Sequence, residues 1–164
     1  MRTPKWEDLN DLLEMINALV AEGADIVRSE EVSKIEEIDW LARAVSRLEK
    51  DEVFYLAAEV DGKVVANSEI NRRQGGHDSH VGAIGIAIKE GYRDVGIGVQ
   101  MIKTLIEQSR KMGLKVLTLS AFESNKRAIH VYEKVGFVQT GRIPRKFFRE
   151  GKYIDEVIMT LVLE

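Results

Sequence analysis

The chain has 164 residues, of which 45% are hydrophobic and 31% charged, and carries a net charge of −3. That length sets the expectation of one domain, 1–164, with a core that needs no disulfide or metal staple. The acidic balance offers no global basic field for nucleic acid, and the absence of cysteine excludes disulfides, thiol nucleophiles and thiolate metal sites.

The first residues, Met1 to Asp8, lack the apolar core of a signal peptide, and no run approaches the roughly 18 apolar residues of a membrane span. A cytoplasmic protein with no membrane partner is therefore expected. From Trp6 to about Ala21, Leu9, Leu12, Leu13, Ile16, Leu19 and Val20 recur at helical spacing, and Gly23 is a stop signal. Ser29 to Leu48 is also helical in pattern, with Ile35, Ile38, Leu41, Ala42, Val45 and Leu48 on one face and a break near Glu37 left open. The period then changes. Val53–Val60 and Lys63–Asn71 read as strands joined by the hairpin turn Asp61-Gly62. A second turn region, Gln74 to Ser79, precedes a strand over Val81–Ile88. Val95–Met112 is the clearest helix, closed by Gly113. Val116–Ala121 follows as a strand, and Asn125–Val135 as a helix closed by Gly136. Phe137–Ile143 and Asp155–Leu163 are the last strands, joined by a basic segment. The order ααβββαβαββ mixes helices into one sheet, an α/β (α+β) class.

Gly91 to Gly98 lies between a strand and a helix. The first turn of a helix presents unpaired N–H groups and partial positive charge, which suit a phosphate. Gly96 and Gly98 would let a pyrophosphate approach the backbone, and Arg93 could add a charged contact. A plain strand-to-helix turn is the alternative. The dinucleotide fingerprint fails, because Gly98 is followed by Val99-Gln100-Met101, and the P-loop fails for want of Gly-Lys-Ser/Thr.

Arg93-Asp94-Val95-Gly96-Ile97-Gly98 resembles the Arg/Gln-x-x-Gly-x-Gly/Ala motif of the GNAT superfamily of N-acetyltransferases. Asn125 to Phe137 resembles that family's Asn-x-x-Ala-x-x-x-Tyr-x-x-x-Gly-Phe segment. The resemblance covers Val53 to the end, and the N-terminal helices more loosely. The tail from Gly141 to Asp155 is similar to the amino-acid N-acyltransferase branch, which includes phosphinothricin-type enzymes.

The resemblance implies a GNAT-type sheet, mixed and mostly antiparallel, flanked by helices, with acetyl-CoA as co-substrate and no metal. The coenzyme would lie in a V-shaped gap between strand residues Gly85–Ile88 and Val116–Ser120. Backbone groups of Ile86, Ala87 and Ile88 would pair with its pantetheine arm. Amides of Arg93, Asp94, Val95, Gly96, Ile97, Gly98 and Val99 would hold the pyrophosphate. Asn125 matches the position that contacts the coenzyme arm, and Tyr132 the position whose hydroxyl faces the thioester sulfur. A neutral amine would attack the thioester carbonyl, backbone donors near Ile86 would steady the developing oxyanion, and Tyr132 would protonate the departing thiolate.

The acceptor implied is a free amino acid or analogue, with a protein N-terminus as the second reading and a non-catalytic acetyl-CoA sensor as a reading of another class. Members of the similar branch often carry glutamate shortly before the Gly-Ile pair, where this chain has Ala83. Substitutes for the proton acceptor are Glu69, His77, His80 or water, and His130 reads as a surface residue. Arg142, Arg145, Lys146, Arg149 and Lys152, interleaved with Phe147 and Phe148, could serve the coenzyme's 3′-phosphate or an acidic substrate, or form a solvated hairpin with two core phenylalanines. A homodimer is implied by analogy alone.

Overall fold

The computed structural model describes residues 1–50, 52–72 and 75–163. Gln74, in the expected second turn region, lies outside them. A 3-10 turn, Trp6–Asp8, leads into α1 (Leu9–Ala21), followed by α2 (Lys34–Glu49). The strands are β1 (Val53–Val60), β2 (Lys63–Arg72), β3 (Val81–Ile88), β4 (Val116–Phe122), β5 (Val138–Arg149) and β6 (Lys152–Val162), with α3 (Ile97–Lys111) and α4 (Lys126–Lys134) on either side of β4. They form one sheet in the order β1-β2-β3-β4-β6-β5, antiparallel except at β3 and β4. The expected class and element order match.

Alternation along the strands divides the core between the two faces of the sheet. On one face, Leu56, Ile70 and Ile84 pack with Met101 and Leu105 of α3 and with Phe137. On the other, Ala57 and Val64 pack with Leu12, Met15 and Leu19 of α1 and Leu41 of α2. Asp61 and Gly62 both adopt positive φ, the two-residue turn their sequence calls for.

Two elements differ from expectation. The second helix starts at Lys34 rather than Ser29 and is unbroken at Glu37. Ser33 is its N-cap: the Ser33 hydroxyl accepts the Glu36 N–H at 3.3 Å, and the Glu36 carboxylate accepts the Ser33 N–H at 2.8 Å. That reciprocal pair fixes the start. Its buried residues are Glu37, Leu41 and Ala44, whereas Ile35 is 72% exposed. The sheet-facing stripe is therefore rotated from the one the aliphatic residues suggest. Trp40 and Ala44 set it, by packing against Tyr55 and Val53.

The basic segment is not a linker but continuous strand. β5 and β6 form a long hairpin that turns at Glu150-Gly151. A bulge between Ile143 and Phe147 takes up Pro144, and the Arg145 N–H there donates to Asp155 at 2.8 Å.

Candidate active site

The site arises where the sheet comes apart. β3 and β4 pair only at Val81–Val116, Gly82–Leu117 and Ala83–Thr118. Beyond that point β3 stays on β2 as far as Ile88–Ala66, and β4 stays on β6 as far as Phe122–Glu156. Each strand follows its outer neighbour, so the two diverge and open a cleft of about 1530 Å³. The inner edge of β3 thus carries main-chain groups with no strand beside them, which an extended ligand can pair with. Those groups alternate sides. The Lys89 N–H donates to the Val65 carbonyl on β2, so the main-chain groups of Ala87 also face β2 while those of Ile86 and Ile88 face the gap. The expectation for Ala87 is corrected accordingly: its side chain lines the cleft, but its peptide groups belong to the sheet.

The far end of the gap meets α3. Gly96 is the helix N-cap, with φ 90°, a left-handed conformation that glycine adopts without strain. The Gln100 N–H, donating to the Gly96 carbonyl at 3.1 Å, is the first to close the helix. This leaves the amides of Ile97, Gly98 and Val99 without helical partners. A Cβ at Gly98 would come within 3.1 Å of the Ile88 side chain, so glycine lets the helix start close to β3. Val95 is exposed and Ile97 packs its side chain toward the core, so both can serve a ligand through backbone only.

The Arg93 side chain differs from the direct phosphate contact expected of it. The Arg93 guanidinium donates to the Ile88 carbonyl at 2.8 Å and to Glu90 at 2.5 Å, and is paired with Glu22, the C-cap of α1. It clamps the loop to β3 and α1. The Asp94 carboxylate is bonded to Arg127 at 2.6 Å, which ties the loop to α4.

The wall opposite β3 is α4. Asn125 caps it, the side-chain oxygen accepting the Ala128 N–H at 3.1 Å, which leaves the amide nitrogen for a ligand. Tyr132, two turns further on, is 7% exposed, lines the cleft and makes no hydrogen bond among the described residues. Burial pushes its pKa up to about 12, so the hydroxyl keeps its proton at any physiological pH.

Of the proton acceptors considered, Glu69 reaches the cleft. It sits on β2 opposite Gly85 and Tyr55, half-buried, and its carboxylate takes a hydrogen bond from Tyr55. His77 and His80 do not. Both are exposed and lie before β3, at the end where β3 and β4 are still paired, and the His80 carbonyl accepts the Lys115 N–H at 2.8 Å. His80 is thus corrected from a candidate base to a turn residue. His130 is exposed at the rim.

In the basic hairpin, Phe147 stacks on Phe122 at 3.8 Å, while Phe148 is 66% exposed, so one phenylalanine rather than two is packed. Arg142 pairs with Glu123 and Asp155, and Arg149 with Asp25, so these cations are taken by acids of this chain. Sequence reasoning missed Glu37, Asn67 and Trp40, which also line the cleft. Among the described residues no three His, Asp or Glu are gathered as metal ligands would be, and no helix is long and apolar enough to cross a membrane.

An edge for an extended ligand, a helix N-terminus for its phosphates and a protonated buried tyrosine between them define a coenzyme A-dependent acyltransferase. Residues 12–137 match the acetyltransferase (GNAT) family, and the chain belongs to it. It is 31% identical over 108 residues to the L-amino acid N-acetyltransferase AaaT of Escherichia coli (strain K12), a match covering 65% of this chain and 67% of that protein. An acetyltransferase of the GNAT family from Streptococcus pneumoniae superposes with TM-score 0.87 at 26% identity, over 99% of this chain and 98% of that one. A phosphinothricin acetyltransferase from Sinorhizobium meliloti, solved in complex with AcCoA, shares the fold with TM-score 0.85 at 18% identity, over 99% and 86% of the two chains. Acetyl-CoA is the donor that family membership brings to the cleft, and the open β3 edge and the free amides of α3 fit it.

Proposed function

We propose that the protein acetylates the primary amine of a free amino acid or amino-acid analogue by direct attack, without a covalent enzyme intermediate. The separation of β3 from β4 beyond Ala83 and Thr118 carries this reading, since it is the feature a plain α/β sheet would lack. AaaT, by its name, acts on L-amino acids, and it supports this acceptor class.

Bound acetyl-CoA supplies an activated acetyl thioester. The amides of Ile97, Gly98 and Val99 neutralise pyrophosphate charge at the positive end of α3. The Ile86 main chain and the Ile88 N–H orient the pantetheine arm, and the Ile86 N–H steadies the charge that develops on the carbonyl oxygen. The amide nitrogen of Asn125 holds the arm from the opposite wall. Tyr132, kept protonated by burial, hands its proton to the departing sulfur. Glu69 takes the proton that the amine sheds, and Tyr55 orients its carboxylate. The site is proposed to work in the cytoplasm and without nucleic acid.

Thiol release from acetyl-CoA, followed across L-amino acids, a peptide with a free N-terminus and an amine-free control, tests the proposal. Release with free amino acids, above the control, is the expected result. Coenzyme binding without release on any amine would instead make the protein a sensor.

A further inference from the structure

Where α2 and β2 line the cleft, two hydrogen-bond acceptors have no donor among the described residues. Glu37 of α2 is 7% exposed, lines the cleft, and receives no hydrogen bond among the described residues. Burial raises its pKa, and the cation that acts on it is Arg28. That guanidinium already donates to the Glu36 carboxylate at 2.9 Å and to the Glu30 carbonyl at 3.2 Å. The side-chain oxygen of Asn67 on β2 is buried in the same wall and has no donor.

The two residues belong to one region. Leu41, one turn beyond Glu37, packs in the cluster that contains Ala57 and touches Ala87, and these are the residues paired with Asn67 across β1 and β3. The other charged groups of this wall are occupied or outlying. Glu36 is bonded to Arg28, Glu69 takes the Tyr55 hydroxyl, and Asp39 and Arg43 are exposed at the rim. Glu37 is largely buried and its carboxylate has lost part of its hydration without gaining a donor, which a charged ligand group compensates best.

We infer that the acceptor carries a cationic group in addition to the amine that reacts, and that Glu37 holds that group while Asn67 takes a substrate N–H. The class that fits is an amino acid with an ammonium or guanidinium side chain. This rests on the proposed acetyl transfer to an amino acid and names its specificity. Glu37 is a specificity residue here, not a base: it selects the acceptor and takes no proton from the reacting amine.

The test compares L-lysine and L-arginine with L-norleucine, measuring kcat and KM by thiol release for the wild type and Glu37→Gln. The wild type is expected to favour the cationic acceptors. In Glu37→Gln their KM rises about tenfold or more, the scale of one hydrogen bond to a charged group, with kcat retained and norleucine unaffected. Glu37→Asp, which keeps the charge, is expected to retain the preference. An equal loss on norleucine, a fall in kcat on every acceptor, or no change with lysine and arginine would overturn the inference. If no amine releases thiol, the acetyl-transfer reading fails separately. Calorimetry of L-arginine with the coenzyme A complex then decides: binding that Glu37→Gln abolishes supports the Glu37 site, and no difference overturns it.

Discussion

Replacing Gly96 with alanine separates backbone strain from ligand binding. Gly96 sits at φ 90°, where an L-residue is disfavoured by about 1–2 kcal/mol. Reduced freedom of the unfolded chain returns about 0.5 kcal/mol. The net destabilisation is about 1 kcal/mol, or a Tm fall of about 2–4 °C for a domain of this size. Among the described residues a Cβ at Gly96 meets no atom within 4 Å, so the methyl projects into open space in the cleft-lining loop, where the account puts a phosphate. Loss of one charge-assisted hydrogen bond there, about 1.5–3 kcal/mol, weakens coenzyme A about 10- to 100-fold. Gly113 is the control. It also has positive φ and an open Cβ position, but it follows the opposite end of α3. Gly113→Ala should lose similar stability and bind coenzyme A as the wild type does. Thermal unfolding and calorimetry on both variants read the two effects apart. Wild-type affinity in Gly96→Ala, or equal weakening in Gly113→Ala, would refute the assignment of the loop to the pyrophosphate.

Other substitutions address single residues. Tyr132→Phe should lower kcat about 100-fold at saturating acetyl-CoA, the low end for general acids because a thiol leaves readily, with coenzyme affinity unchanged. Unchanged kcat would remove the proton-donor role. Asn125→Ala should cost about 1 kcal/mol through the lost cap, seen in denaturant midpoint, while Asn125→Ser keeps the cap and loses coenzyme affinity alone. Asp8 is buried against Arg2, whose hydrogen bonds are the main reason its pKa lies below the ordinary value of 3.8, with the Lys5 N–H assisting. A depressed acid contributes stability that is fully present above its unfolded value and is lost as pH falls through the folded one. Asp8→Asn should therefore be less stable near neutrality and lack that segment of acid destabilisation in a pH series of unfolding curves.

The central sheet was legible because its signals are local. Asp61-Gly62 is a two-residue hairpin turn by composition, and β3 runs from Val81 to Ile88 as its apolar stretch indicates. The coenzyme side was legible for the same reason: Gly96, Gly98, Asn125 and Tyr132 lie within two short segments, each spanning one helix start. What escaped depends on contacts between distant parts of the chain. Arg93 reads as a phosphate ligand until Glu22, 71 residues earlier, takes its guanidinium. Ile35 and Ile38 read as core until the Trp40 contact with Tyr55 turns the helix. The Glu150-Gly151 turn lacks the Asn or Asp that marks most such turns, so β5 was cut short. Glu37 could have been found from its spacing with Leu41, Ala44 and Leu48, an acidic residue on the stripe that faces the sheet. Asn67 could not, since its neighbours come from two other strands.

The central claim is that β3 and β4 part to admit the coenzyme. A crystal structure of the protein with acetyl-CoA tests it most directly. The account predicts the pantetheine arm against the Ile86 and Ile88 main chain, the pyrophosphate on the first turn of α3, and the sulfur facing the Tyr132 hydroxyl. Coenzyme bound outside the β3–β4 gap, or β3 and β4 closed on each other with the ligand elsewhere, would contradict it.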